Sequence, residues 1–181
     1  LGLKKEYDIA FAGNVGLKIP TAPSGFFRAK MLDILASQGF KIKAFLPGLV
    51  EEHFKYFPSI KKIEYTTEYK SHKEVNELYN KSKISLSIFG PHIKESLSPR
   101  AFDAALAGAF QLMQYKKDVD DLFPGCVVAF RTKDELLKKA KFYLENDTER
   151  ENLAKKAYDL SKEKHTFKNR AKEICKIIKT R

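Results

Sequence analysis

The stretch GPHIKESLSPRAFDAALAGAF, from Gly90 to Phe110, gathers the residues best suited to chemistry. It follows an apolar run and enters a helical pattern through Ser98-Pro99, and Ser is a preferred N-cap while Pro suits the first helical position. A helix start there offers free backbone N–H groups and the positive end of the helix dipole, which together bind a phosphate-like anion. Ser96, Ser98 and Arg100 flank that start, and Asp103 lies one turn deeper, where its carboxylate could accept two ribose hydroxyls. Glu95 sits eight residues before Asp103. Two carboxylates with an anion site between them suit a nucleotide diphosphate sugar; the same spacing also fits an exposed helix residue and a loop charge. His92, in the same loop, is placed to touch sugar or phosphate or simply to face solvent. Earlier in the chain, GNVG at Gly13 to Gly16 follows an apolar run, but without the full dinucleotide fingerprint it reads as a tight turn. Arg28 stands on an amphipathic pattern, either as a second phosphate ligand or as a solvated side chain.

These residues need a scaffold, and the periodicity supplies one. YDIAFAG, KIKAFLPG, KKIEYTT, KISLSIFG, AFQLMQY and CVVAFRT read as six strands, several apolar on both faces as in a covered parallel sheet. Between them, Phe27, Met31, Ile34 and Leu35 follow helical spacing from a candidate cap at Ser24 to Gly39, and SHKEVNELYNKS carries an apolar face of Val75, Leu78 and Tyr79. After CVVAF the pattern is helical only. Thr132 with Glu135 and Thr148 with Glu151 form T-x-x-E boxes, which predict two helix starts. A third helix, from Thr166, is expected to bury Phe167, Ala171, Ile174, Ile177 and Ile178, with Cys175 a buried thiol. The fold expected is a Rossmann-like α/β domain, an open parallel sheet of about six strands over residues 7–130 with helices on both faces, followed by C-terminal helices over 131–181. In such sheets the ligand lies at the carboxyl ends of the strands where the order reverses, here after the first and fourth strands.

Composition sets the outer limits. With 181 residues, 43% of them apolar, the chain can form one domain with a proper core, which excludes disorder as its main state. No run approaches the length of a bilayer span, and the start lacks a signal peptide. Cys126 and Cys175 form no metal or disulfide pattern, so no metal site is expected and a reducing cytoplasm fits best. The net charge is +11, and residues 131–181 hold 16 Lys plus Arg against 9 Asp plus Glu. That excess admits an alternative function, a non-enzymatic basic module for nucleic acid or an anionic membrane. The aromatic residues fall at core spacing and not in the basic interleaving of an RNA platform, so nucleic acid is not the expected partner. His53 and His72 find no partner in the sequence. The first residue is Leu, and a strand follows at once, so a segment of a longer protein is expected.

The string ESLSPRAFDAALAGAF resembles the E-x7-E signature of retaining glycosyltransferases of the GT-B fold, with Glu95 at the first acidic position and Asp103, one carbon shorter than the usual Glu, at the second. KSKISLSIF, PRAFDAALAGAFQLMQY, DLF, VVAFRTKDELLKKAKFYLENDTERENLAKKA and KHTFKNR are similar to the CgeB-like (spore maturation protein) group of family 1 type glycosyltransferases, over roughly residues 79 to 170. AFAG and Arg28 fit the group's first strand and helix more loosely. Ser87 stands where the group often has Asn, and Cys126 where an acidic residue is common. The resemblance implies a C-terminal domain that holds a nucleotide sugar donor, with the acceptor bound by an N-terminal domain outside this chain. It implies diphosphate and ribose contacts from Ser98, Arg100 and Asp103, with Ser96, Gly13 and His92 nearby. Glu95 would face the donor sugar, Arg28 would neutralise the leaving diphosphate as a catalytic residue, and His165 would seat the last helix. No cofactor or metal is implied. The cysteine usage leads to the expectation of a cytoplasmic setting, and the basic charge allows a peripheral contact at the inner face of an anionic membrane.

Overall fold

The computed structural model describes residues 3–16, 23–90 and 93–179. Six parallel strands form one open sheet in the order β3-β2-β1-β4-β5-β6, with β1 Tyr7–Ala12, β2 Ile42–Phe45, β3 Glu64–Thr66, β4 Ser82–Ser87, β5 Gln111–Gln114 and β6 Val128–Phe130. All six runs picked out by apolar pattern are strands. β1 is flanked by β2 and β4, with Ile9 opposite both Ile42 and Ile84. The order therefore reverses at β1 and β4, and the carboxyl ends of these two strands open into the same crevice.

The two faces of β1 differ in bulk, and this decides what packs on each. Ile9 and Phe11 join the larger core with α1 (Pro23–Ser37), the 3-10 turn Pro58–Lys62 that follows the short α2 (His53–Tyr56), and α6 (Lys133–Glu145). Ala10 and Ala12 face the other side, where α3 (His72–Asn80) and α4 (Pro99–Leu106) approach through Leu78, Tyr79 and Ala104. Small strand residues on this side let helix side chains reach the ends of the strands. α4 also packs through Ala101 and Ala105 against α5 (Lys117–Leu122) and α7 (Asp147–Lys164), with Val119 and Ala157 in the same cluster.

Helix starts follow local chemistry. Ser71 and Glu74 close a reciprocal capping box on α3: the Glu74 N–H donates to the Ser71 hydroxyl at 3.3 Å, and the Ser71 N–H donates to the Glu74 carboxylate at 2.8 Å. The Thr132 hydroxyl accepts from the Glu135 N–H at 3.1 Å, while the Glu135 carboxylate accepts from the Arg131 N–H. Three expectations are corrected. α1 begins at Pro23, before Ser24. Thr148 does not cap α7, which starts at Asp147 because Arg150, 5% exposed, is seated there on the Tyr143 carbonyl at 2.6 Å and the Asp147 carboxylate at 2.8 Å. The final helix, α8 (Phe167–Lys179), buries none of its residues; Phe167 is 94% exposed and Cys175 is exposed too. Its apolar periodicity is present, but among the described residues none covers it.

Candidate functional site

The crevice between the ends of β1 and β4 holds a small cavity of about 60 Å³, lined by Ala12 of β1 and Gly13 after it, Ser87 of β4 with Ile88 and Phe89 after it, Arg28 of α1, Tyr79 of α3, the α4 N-cap Ser98, and Arg100 of α4. That volume takes a phosphate-sized group at the cavity floor. The floor is built by close approach. A Cβ on Gly13 would lie 2.7 Å from the Phe11 ring, and one on Gly25 would lie 1.7 Å from the Val15 carbonyl oxygen. Only glycine lets α1 come this close to the β1 loop. Asn14 accepts from the Gly16 N–H at 2.6 Å, and Gly16 has φ 90°, so the GNVG segment is the tight turn expected.

Arg28 is not a solvated side chain. Its Nε donates to the Ile88 carbonyl at 3.0 Å and its Nη1 to the Asn14 carbonyl at 2.8 Å, which ties the β1 and β4 loops together and fixes the guanidinium at the cavity wall. Burial, and then the neighbouring Arg100 guanidinium, pull the Arg28 guanidinium below its ordinary value. An Arg stays protonated regardless. Two cations therefore share one cavity, and among the described residues neither forms an ion pair with a carboxylate. Such a pair is stable only if an anion or solvent screens it.

Ser98 occupies the N-cap position of α4 with extended backbone, as its sequence predicts, but its hydroxyl makes no capping bond. The hydroxyl is thus uncommitted, beside a helix start whose first N–H groups lack a side-chain partner. Around this start, the β4–α4 loop is braced by β5 and α5: Gln114 accepts from the Phe89 N–H at 2.9 Å, Lys116 donates to the Ile93 carbonyl, and the Asp118 N–H donates to the Glu95 carbonyl at 3.2 Å. Glu95 and Ser96 lie exposed in that loop, outside the lining of the cavity. His92 lies outside the described residues.

Asp103 faces an adjoining groove of about 200 Å³ between α3 and α4, lined also by His72, Val75, Asn76 and Tyr79. Its Oδ2 is 4.0 Å from the Nδ1 of His72. Tyr79 borders both the cavity and the groove. Burial pushes its phenol up to about 12, with the Arg100 charge opposing and the Asp103 charge adding to the rise. Sequence reasoning missed two of these residues. Tyr79 reads as core from its helical spacing, and His72 gains a partner only when α3 and α4 come together. The Ser71–Glu74 box was the available signal, since it sets α3 to begin at His72. At the back of α4, Phe102 packs against Phe123 and the His165 ring, which fits the expected role of His165 at the last helix corner. A larger hollow of about 620 Å³, lined by Glu51, Glu52, Phe54, Lys55 and Lys61, mixes both charges and converges on nothing.

Solved structures share this architecture. Sucrose-phosphate synthase from Thermosynechococcus elongatus superposes with a TM-score of 0.72 at 10% identity, over 98% of this chain and 46% of the synthase. The T4 phage BGT structure in complex with its UDP-glucose substrate gives 0.69 at 17% identity, over 89% of this chain and 45% of the phage protein. The C-terminal domain of a glycosyl transferase group 1 family protein from Francisella tularensis gives 0.63 at 13% identity and covers 91% of this chain and 89% of that domain. This chain thus spans less than half the length of the first two proteins and nearly all of an isolated C-terminal domain. No curated protein matches it. The family described as glycosyl transferase-like matches residues 28–176, from the cavity arginine into α8. The chain belongs to that glycosyl transferase-like family.

Proposed function

We propose that this chain is the donor-binding half of a glycosyltransferase of the CgeB-like group, holding a nucleotide diphosphate sugar while an N-terminal domain outside it binds the acceptor. One observation carries the reading: Arg28 and Arg100 converge without a carboxylate on a phosphate-sized cavity beside the start of α4. The diphosphate sits against both guanidiniums, the Ser98 hydroxyl and the helix N–H groups. Arg28 is aimed by two carbonyls before any ligand arrives, so it meets charge developing on the leaving nucleotide without reorganising. The ribose lies over Tyr79 toward Asp103, because Tyr79 borders both the cavity and the α3–α4 groove on that side. Glu95, in the braced loop, faces the donor sugar. No metal or cofactor is assigned to this half.

The phage neighbour's UDP-glucose makes uridine diphosphate sugars the first probes. Two free cysteines fit a reducing cytoplasm as the setting. Calorimetric titration of this chain with UDP, GDP, ADP and their glucose conjugates tests the reading. One nucleotide diphosphate binds, and no sugar is transferred to any acceptor while the other half is missing. Failure of all of them to bind removes the donor role, and transfer by this chain alone removes the division of labour.

A further inference from the structure

Among the described residues, Tyr79 alone lines both the phosphate-sized cavity and the α3–α4 groove. Packing explains its ring, which shares a cluster with Ala10, Phe45, Leu78 and Ala104. Packing does not explain its hydroxyl. Tyr79 is 4% exposed, yet among the described residues the hydroxyl forms no hydrogen bond, whereas a buried tyrosine hydroxyl usually finds a partner. Phenylalanine would fill the same space without leaving a polar group alone. Ser87 and Ser98 also bring uncommitted hydroxyls to the cavity, but both are half-buried and water serves them. Among the described residues, the polar side-chain atoms with neither a partner nor contact with solvent belong to His53, Ser85, Gln111 and Ser161. The Tyr79 hydroxyl is not one of these, so the small open part of the side chain includes its oxygen, at the border of the two hollows.

The surrounding charge indicates what the hydroxyl meets. Arg100 and Asp103 act on the phenol with opposite sign, and burial holds it up at about 12, so it keeps its proton at neutral pH. It is therefore a neutral donor beside a cavity whose cations are Arg28 and Arg100. Asp103 acts on it by charge only and does not bond to it. An anionic oxygen entering beside Arg100 satisfies this donor, whereas an apolar or cationic group leaves it unpaired. A ligand reaching from the cavity into the groove must pass Tyr79. The identity of the oxygen rests on the donor-binding reading above: with the diphosphate in the cavity and the ribose in the groove, the group at the border is the phosphate esterified to the ribose. We infer that the Tyr79 hydroxyl donates a hydrogen bond to a non-bridging oxygen of that phosphate, and so recognises a nucleoside phosphate ester where the two guanidiniums recognise phosphate charge alone.

Calorimetric titration of this chain and of Tyr79→Phe with UDP and with inorganic phosphate tests the inference. Tyr79→Phe binds UDP roughly tenfold or more weakly, as expected for the loss of a hydrogen bond to a charged group. Inorganic phosphate, with no ribose to hold it at the border, binds both proteins equally. The melting temperature without ligand stays level or rises, because the ring is kept and an unpartnered hydroxyl is removed. Tyr79→Phe also weakens UDP further when Asp103 is already Ala; no further loss in that double variant would mean that the tyrosine acts only through Asp103, and overturns the contact. An equal loss for UDP and inorganic phosphate overturns recognition of the ester. Unchanged UDP affinity in Tyr79→Phe overturns this inference and leaves the donor reading standing, whereas failure of the unaltered chain to bind any nucleotide diphosphate removes both.

Discussion

Replacing Arg100 by Ala separates binding from folding more cleanly than any other change at the crevice. The side chain is exposed, makes no hydrogen bond or ion pair among the described residues, and stands beside the Arg28 guanidinium. Its removal therefore costs the empty protein nothing in bonds and relieves a repulsion between like charges. The melting temperature without ligand should stay level or rise slightly, a change within about 0.5 kcal/mol. With ligand the balance inverts. A charge-assisted hydrogen bond contributes about 1.5–3 kcal/mol, and the exposure of Arg100 puts it at the low end through solvent screening. Loss of about 1.5 kcal/mol weakens nucleotide diphosphate binding roughly tenfold. Calorimetry at low salt reads that loss, and raising the salt should narrow the gap between the variant and the wild type. Arg100→Lys keeps the charge without the bidentate fork and should fall between them. Unchanged affinity in Arg100→Ala, or a drop in melting temperature without ligand, would refute the reasoning.

Other consequences follow from the same geometry. Asp103→Ala should weaken nucleotide binding by roughly 10- to 150-fold, the worth of a charge-assisted bond, with little change in stability because Ala is the better helix former; calorimetry paired with thermal melts checks both halves. Tyr7, bonded to the Glu64 carboxylate at 2.8 Å, and Tyr79 both have phenols pushed up to about 12. Their folded values lie above the unfolded value near 10, so the stability they contribute is intact below about pH 10 and is lost as pH rises through 12. Tyrosinate absorbance should show Tyr7 and Tyr79 among the latest groups to titrate, and Tyr79→Phe should reduce that late fraction. Gly25→Ala forces a Cβ to 1.7 Å from the Val15 carbonyl oxygen, and should cost about 1–3 kcal/mol or more in denaturant melts. A wild-type melting curve for that variant would mean that α1 does not approach the β1 loop so closely.

The scaffold was readable because each of its rules is local. Six apolar runs gave six strands, and the glycine at 13 and the Ser98-Pro99 pair marked the loop and the helix start that meet at the crevice. What failed depends on neighbours far away in sequence. Periodicity identifies the apolar face of α8 but says nothing of whether another element lies against it, so Phe167 and Ile174 were expected inside and are outside. A T-x-x-E box at Thr148 is a valid start signal, yet the buried seat of Arg150 begins the helix at Asp147 instead. Tyr79 looks apolar by spacing, and only the proximity of α3 and α4 on the alanine side of β1 shows that it divides an anion cavity from a groove. Arg28 was placed at the right end of the sheet without its two carbonyl partners, since these belong to loops sixty and fourteen residues away.

The central claim is that a nucleotide diphosphate binds where β1 and β4 diverge, and amide chemical-shift mapping of the labelled chain during titration with UDP tests it most directly. The shifts should concentrate at Gly13, Asn14, Ser98 and Arg100 and extend along α4 to Asp103, and inorganic phosphate should reproduce only the part near Ser98 and Arg100. Shifts confined to the mixed-charge hollow around Glu51 and Lys61, or none with any nucleotide diphosphate, would contradict it.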